Sequence, residues 1–141
     1  MRVTRVLVLA SGRGTDFQAI VDHQTMRIFK GVVISGMVCN HDNAPVITRA
    51  QDAAIPSFVI KGVTGIQFPT SKAKEEAREA FDNRCLDLVK ETRAELVVLA
   101  GFDQIVSKSF VEACKFKIMN IHPAYDMVRF GGKNMVGKKV H

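Results

Sequence analysis

The sequence predicts an α/β fold, an open and mostly parallel sheet with helices on both faces, and two observations lead there. Val6-Leu7-Val8-Leu9-Ala10 and Leu96-Val97-Val98-Leu99-Ala100 are uninterrupted apolar runs that end at glycine-containing turns, as strands buried on both faces do. Around them, short apolar stretches alternate with segments of helical spacing through short connections, the pattern of strands joined by crossover helices.

The elements follow in order. After the first strand, Ser11-Gly12-Arg13-Gly14 is a turn, and Thr15 is expected to cap a helix with Gln18 three residues on in capping-box spacing. Phe17, Ile20 and Val21 form that helix's inward stripe. A second strand runs from Val32 to Val38, followed by the loop Cys39-Asn40-His41-Asp42-Asn43. Pro45 starts the next helix, in which Val46, Ile47, Ala50, Ala53 and Ala54 recur at helical spacing. Ser57 to Ile60 is a short strand. Ser71 opens the longest helix, with Ala77, Phe81, Cys85, Leu88 and Val89 on one face and Arg78 and Asp82 off it. Beyond the second buried strand, a helix from Ser107 to Lys115 and a brief strand from Lys117 to Ile121 complete the alternation.

Composition narrows the classes. At 141 residues the chain suits one domain, residues 1–141, and 47% hydrophobic with 24% charged residues speaks against disordered, collagen-like and membrane-spanning proteins. The net charge of +6, from 20 Lys and Arg against 14 Asp and Glu, favours anionic partners. Nucleic acid is not the expected one, because aromatic residues make up only 7% and no recognition motif accompanies the charge. Cys39, Cys85 and Cys114 are widely spaced and form no Cys-x-x-Cys pair, so reduced and mostly buried thiols are expected rather than a metal site. The N-terminal apolar run is too short for a signal-peptide core, and no stretch nears the roughly 20 residues of a spanning helix. A cytoplasmic protein with no membrane partner is the expectation.

In parallel α/β sheets, ligands lie beyond the carboxyl ends of the strands. Ser11-Gly12-Arg13-Gly14-Thr15 offers small residues and a helix N-terminus suited to a phosphate, or else a tight turn that needs glycine for its own geometry. The dinucleotide fingerprint is incomplete, because Phe17 stands where a third glycine is required. Asn120-Ile121-His122-Pro123 places an amide and an imidazole on the same side of a strand end. There Asn120 suits a carbonyl oxygen gaining negative charge and His122 a proton transfer, unless the histidine is structural. Ala100-Gly101-Phe102-Asp103-Gln104-Ile105 leaves the sheet at the same edge, with Phe102 and Ile105 able to wall an apolar slot. His23 and His41 read as surface residues.

Three segments carry a resemblance. Val8 to Ile20, then Val97-Val98-Leu99-Ala100-Gly101-Phe102, then Met119-Asn120-Ile121-His122-Pro123 occur in the order and spacing of the phosphoribosylglycinamide formyltransferase family, and the chain resembles its N-terminal two-thirds. The resemblance implies a Rossmann-like formyltransferase fold, incomplete at its C-terminus. It implies formyl transfer from 10-formyltetrahydrofolate to the amine of glycinamide ribonucleotide in de novo purine biosynthesis, by a monomer or homodimer. Gly14, Thr15 and Asp16, with Gly12 and Gly101 beside them, inherit the phosphate-holding and substrate-binding role; Asp16 replaces the family's usual Asn. Arg78, in Arg78-Glu79-Ala80-Phe81-Asp82, inherits the arginine that reaches the folate's acidic end. Asp103-Gln104-Ile105-Val106 replaces the common Met-Arg-Ile-Leu along the pterin pocket, where contact runs largely through backbone. Asn120 and His122 match the catalytic Asn-x-His, with Asn120 also facing the folate. The family's third catalytic residue, an aspartate, has no match here, so the 141-residue chain alone is expected to have little activity. A formyltetrahydrofolate hydrolase and a non-catalytic nucleotide-binding module are the alternatives.

Overall fold

A computed structural model describes residues 2–115 and 117–121. The described chain alternates β1 (Thr4–Ala10), α1 (Thr15–Thr25), β2 (Val32–Cys39), α2 (Pro45–Asp52), β3 (Ser57–Val59), α3 (Ser71–Glu91), β4 (Leu96–Ala100), α4 (Lys108–Ala113) and β5 (Ile118–Ile121). The five strands form one sheet in the order β3-β2-β1-β4-β5, and every neighbouring pair is parallel.

The apolar run of β1 explains why helices cover both faces. Successive strand residues point to opposite sides. Val6, Val8 and Ala10 therefore pack with Phe17 and Val21 of α1 and Val46 and Ala50 of α2. Leu7 and Leu9 pack on the other side with Phe81, Cys85 and Leu88 of α3 and Phe110 of α4. Val6 to Ala10 are all at most 3% exposed, so neither face of this central strand meets water. Burial pushes the Cys85 thiol up to about 12, which keeps it protonated and unreactive.

Strand order also sets where a ligand fits. The chain runs outward from β1 to β3 and then returns to β4 on the other side of β1. The crevice between the carboxyl ends of β1 and β4 is the point of reversal, where open α/β sheets bind their ligands. Ser11 and Gly101 flank it, and the Ser11 N–H donates to the Gly101 carbonyl at 3.3 Å.

Three local expectations are corrected. Thr15 does not cap α1. Gly14 is the N-cap, at φ 78, its carbonyl accepts from the Gln18 N–H, and no side chain caps this end. The Gln18 side chain instead donates to Asp22 and accepts from Arg49. Ala54 is not helical: α2 ends at Asp52, and Ala54 turns the chain with φ 55. Asp82 does not lie off the buried face of α3: it is only 3% exposed, and its carboxylate accepts from the Ser107 N–H at the start of α4. Caps follow the expected chemistry elsewhere, with Thr70 accepting from the Ala73 N–H before α3 and Ser107 from the Phe110 N–H before α4.

Candidate functional site

The glycine loop is shaped by tertiary packing as well as by any ligand. A Cβ on Gly14 would lie 2.5 Å from Val46 Cγ2 and 3.0 Å from its Cα, and its φ of +78 disfavours any other residue. Val46 of α2 also donates its N–H to the Gly12 carbonyl at 3.1 Å, so α2 grips the loop at two points. Gly14 thus has a structural reason to be glycine. Gly12 has none of that kind: it is exposed, and nothing lies within 4 Å of where its Cβ would be. The open side of the loop is at Gly12, and the backbone N–H groups of the first turn of α1, at Thr15 and Asp16, have no acceptor inside the helix.

Next to this loop, the ends of β1, β2 and β4 are joined by a polar cluster that sequence reasoning did not foresee. Ser11 Oγ lies 2.7 Å from Asn40 Oδ1 and 3.0 Å from Asp103 Oδ1, so its single proton serves one of them at a time. It also accepts the Asp103 N–H at 2.8 Å. Asn40 Nδ2 donates to Asp103 Oδ1 at 2.7 Å, and His41 Nε2 meets Asp103 Oδ2 at 2.6 Å. Ser11 and Asn40 are buried, whereas the His41 and Asp103 side chains are 37% and 36% exposed, so the cluster opens to solvent at the histidine. Burial alone pushes the Asp103 carboxyl up, but hydrogen bonds from Asn40, His41 and Ser11 and the neighbouring imidazole together hold it below the usual carboxylate range. His41 is therefore not the plain surface residue expected from sequence. The available signals were two: a histidine just past a strand end, and an aspartate where the family that the sequence resembles commonly has methionine.

Gln104 completes this wall. It is 5% exposed, its Oε1 accepts the Val63 N–H at 2.8 Å, and its Nε2 has no partner among the described residues. Of the remaining expected pocket residues, Ile105 is 56% exposed and free to meet a ring, and Val106 packs against the core cluster on the α3 face. Phe102 stacks on Phe81 with ring centroids 6.0 Å apart.

Arg78 projects from α3, one turn before Asp82. Its Nη1 meets Glu75 at 3.4 Å, while its buried Nε has no partner among the described residues. A guanidinium donor left over in this way suits an incoming carboxylate. Asn120 pairs in register with Leu99 and is exposed, one strand away from the crevice. The expected sites therefore converge in part: Gly12, Gly14, Thr15, Asp16, Gly101, Asp103 and Asn120 all lie at the carboxyl end of one sheet. His122 lies outside the described residues, as does the Pro123 that follows it. Among the described residues no group of three or more His, Cys, Asp and Glu is placed to hold a metal. No described helix is long and apolar enough to cross a membrane.

The sequence profile of the formyl transferase family matches residues 4–137. Phosphoribosylglycinamide formyltransferase of Bacillus subtilis is 31% identical over 131 residues, 93% of this chain and 61% of its own length. The enzyme of that name from Saccharomyces cerevisiae is 30% identical over 127 residues, 86% of this chain and 59% of its own length. Glycinamide ribonucleotide transformylase 1 from Geobacillus kaustophilus superposes with a TM-score of 0.77 at 31% identity, over 97% of this chain and 66% of that structure. The chain thus spans about three-fifths of the length of these two relatives, 59% and 61%. It spans 8% of the trifunctional purine biosynthetic protein adenosine-3 of Drosophila melanogaster, to which it is 32% identical over 126 residues.

Proposed function

Because this chain belongs to the formyl transferase family, we propose that it serves the transfer of a formyl group from 10-formyltetrahydrofolate to the amine of glycinamide ribonucleotide, in de novo purine biosynthesis. The observation that carries this reading is the placement of the glycine loop, the Gly101-Phe102 turn and Asn120 at the ends of three adjacent strands, β1, β4 and β5. A phosphorylated amine and a folate need such neighbouring subsites, since their reacting atoms must come within about 3 to 3.5 Å of each other.

In this proposal the backbone of Gly12 to Asp16 holds the ribonucleotide's phosphate at the start of α1, with Gly101 leaving room beside it. Arg78 pairs with the folate's acidic end. The residues Asp103, Gln104, Ile105 and Val106 frame the pterin. The amine nitrogen bonds to the formyl carbon and the bond from that carbon to the folate nitrogen breaks. The attacking nitrogen gives up a proton and the departing folate nitrogen gains one. Asn120 donates its amide to the formyl oxygen as that oxygen gains charge, and His122, by its motif, carries the proton. The protein works by position and charge, without a covalent intermediate. The proposal includes a cytoplasmic setting and a monomer or homodimer.

Calorimetry with glycinamide ribonucleotide and a folate tests it. The expected result is that both bind at once and that any loss of the formyl group from the donor requires the ribonucleotide. Binding of the nucleotide alone overturns the reading in favour of a non-catalytic module, and folate turnover without ribonucleotide overturns it in favour of a hydrolase.

A further inference from the structure

The resemblance that supports the proposed function assigns no role to His41. Its position does. His41 stands on the loop between β2 and α2, and α2 is the helix that grips the glycine loop through Val46 and through Arg49, whose Nε donates to the Arg13 carbonyl at 2.6 Å. Asp103 reaches across from the end of β4 and fixes Nε2 at 2.6 Å, while Asn40 and Ser11 fix Asp103 in turn. The backbone is held as well: the Cys39 thiol donates to the His41 carbonyl at 3.3 Å. A purely structural surface histidine needs no such scaffold. Here three side chains from three strand ends, Asp103 directly and Asn40 and Ser11 through it, hold one half-exposed imidazole, whose Nδ1 has no partner among the described residues.

An imidazole anchored through one nitrogen by a carboxylate presents the other nitrogen in a defined direction, and it changes charge between pH 5 and 8. Beside the loop to which the proposed function gives a phosphate, this is a charge that can be switched on against the ligand.

We infer that His41, oriented by Asp103, is a specificity-determining residue of the same site: its protonated Nδ1–H reads the anionic group held at the glycine loop, so that affinity for the anion falls as pH rises. The inference rests on the proposed phosphate subsite for the identity of that anion. The lowered Asp103 carboxyl agrees with it, since a carboxylate that stays ionised favours a charged imidazole. The other charged groups on this loop and the segments packed against it are Asp42, Arg13 and Asp16 at the glycine loop, Arg49 and Asp52 on α2, and Lys61 after β3. Imidazole is the side-chain type that ordinarily changes charge between pH 5 and 8, so a pH dependence that disappears in His41→Gln is assigned to His41.

Sulfate is the probe, because its own charge is constant over this range. Sulfate binding to the full chain, followed by NMR, is expected to weaken about tenfold between roughly pH 5.5 and pH 8. The His41 Hε1 resonance moves on sulfate addition at the lower pH, a readout that needs no variant. In His41→Gln the pH dependence is expected to flatten to within about twofold. In Asp103→Asn, which frees the imidazole, the weakening begins at lower pH. An unmoved His41 resonance, or the same pH dependence in His41→Gln, overturns the inference, and so does sulfate acting as an adventitious ion only, with shifts scattered over surface lysines. The formyl-transfer reading fails separately: a normal His41 response to sulfate with no joint binding of ribonucleotide and folate removes that reading and leaves the anion site standing.

Discussion

The two ends of the same sheet are built differently. At the carboxyl ends of β1, β2 and β4, Ser11, Asn40 and Gln104 are at most 5% exposed and hydrogen-bond through Asp103 or to backbone. Toward the amino ends, the polar side-chain contacts are isolated ones, an Arg2–Glu95 ion pair at 2.7 Å and a Gln24 side chain that accepts the Ile34 N–H at 2.8 Å, and Met26, Ile28 and Phe29 stand 62, 57 and 40% exposed on the loop before β2. Burying polar side chains costs free energy unless every one is paired. The sheet needs no such cluster for its strands to pair, as its amino end demonstrates. Among the described residues the buried polar groups gather at the carboxyl end, beside an exposed glycine loop, and the proposed ligand site rests on that asymmetry.

Substitutions at the two ends sharpen the contrast. The largest effect is expected at Gly14→Ala, where the new methyl meets Val46 and the backbone stays at positive φ; urea denaturation is expected to report a loss of about 3 kcal/mol. Gly12→Ala, two residues away in open space, is expected to shift stability by less than about 0.5 kcal/mol while weakening ligand binding at the loop. Equal destabilisation by the two would break the distinction between a structural and an exposed glycine.

Asp103→Ala comes next. It strips Asn40, His41 and Ser11 of their common acceptor, and leaving the buried Asn40 amide unpaired is expected to cost about 2 kcal/mol. The same carboxylate makes stability depend on acid. Its folded-state pKa is lowered, so its contribution is present above the ordinary carboxylate range, near pH 4, and is lost as pH falls through the folded value. Denaturation midpoints of the wild type are therefore expected to drop more steeply below about pH 4 than those of Asp103→Asn. The smallest effect belongs to the amino end: Arg2→Ala, whose side chain is 82% exposed, is expected to change stability by no more than about 0.5 kcal/mol.

How far the sequence disclosed all this depended on the range of the interaction. The apolar runs of β1 and β4 announced themselves because burial on both faces leaves no room for polar residues, and their ends located Ser11 and Gly101. The cap of α1 was misread because Gly14's left-handed backbone is matched to the packing of Val46, thirty-two residues away, and not to any local hydroxyl. Asp82 fell off the apolar face by helical spacing, and only the fold brought Ser107 of another element to it as a partner. The Asp103–His41 contact spans 62 residues, and no periodicity encodes a pair of that kind. Of the candidate site, the loop residues and Asn120 were legible from their place after apolar runs, whereas the cluster that orients His41 emerged only once three strand ends were brought together.

The most direct measurement of the central claim, that the carboxyl end of the sheet is the ligand site, is an amide chemical-shift map of the chain titrated with glycinamide ribonucleotide. The account predicts shifts concentrated at Ser11 to Phe17, Asn40, His41 and Gly101 to Gln104, with Arg2 and Met26 to Phe29 unmoved. Shifts centred on the amino end, or a saturable response that spares the glycine loop, would contradict it.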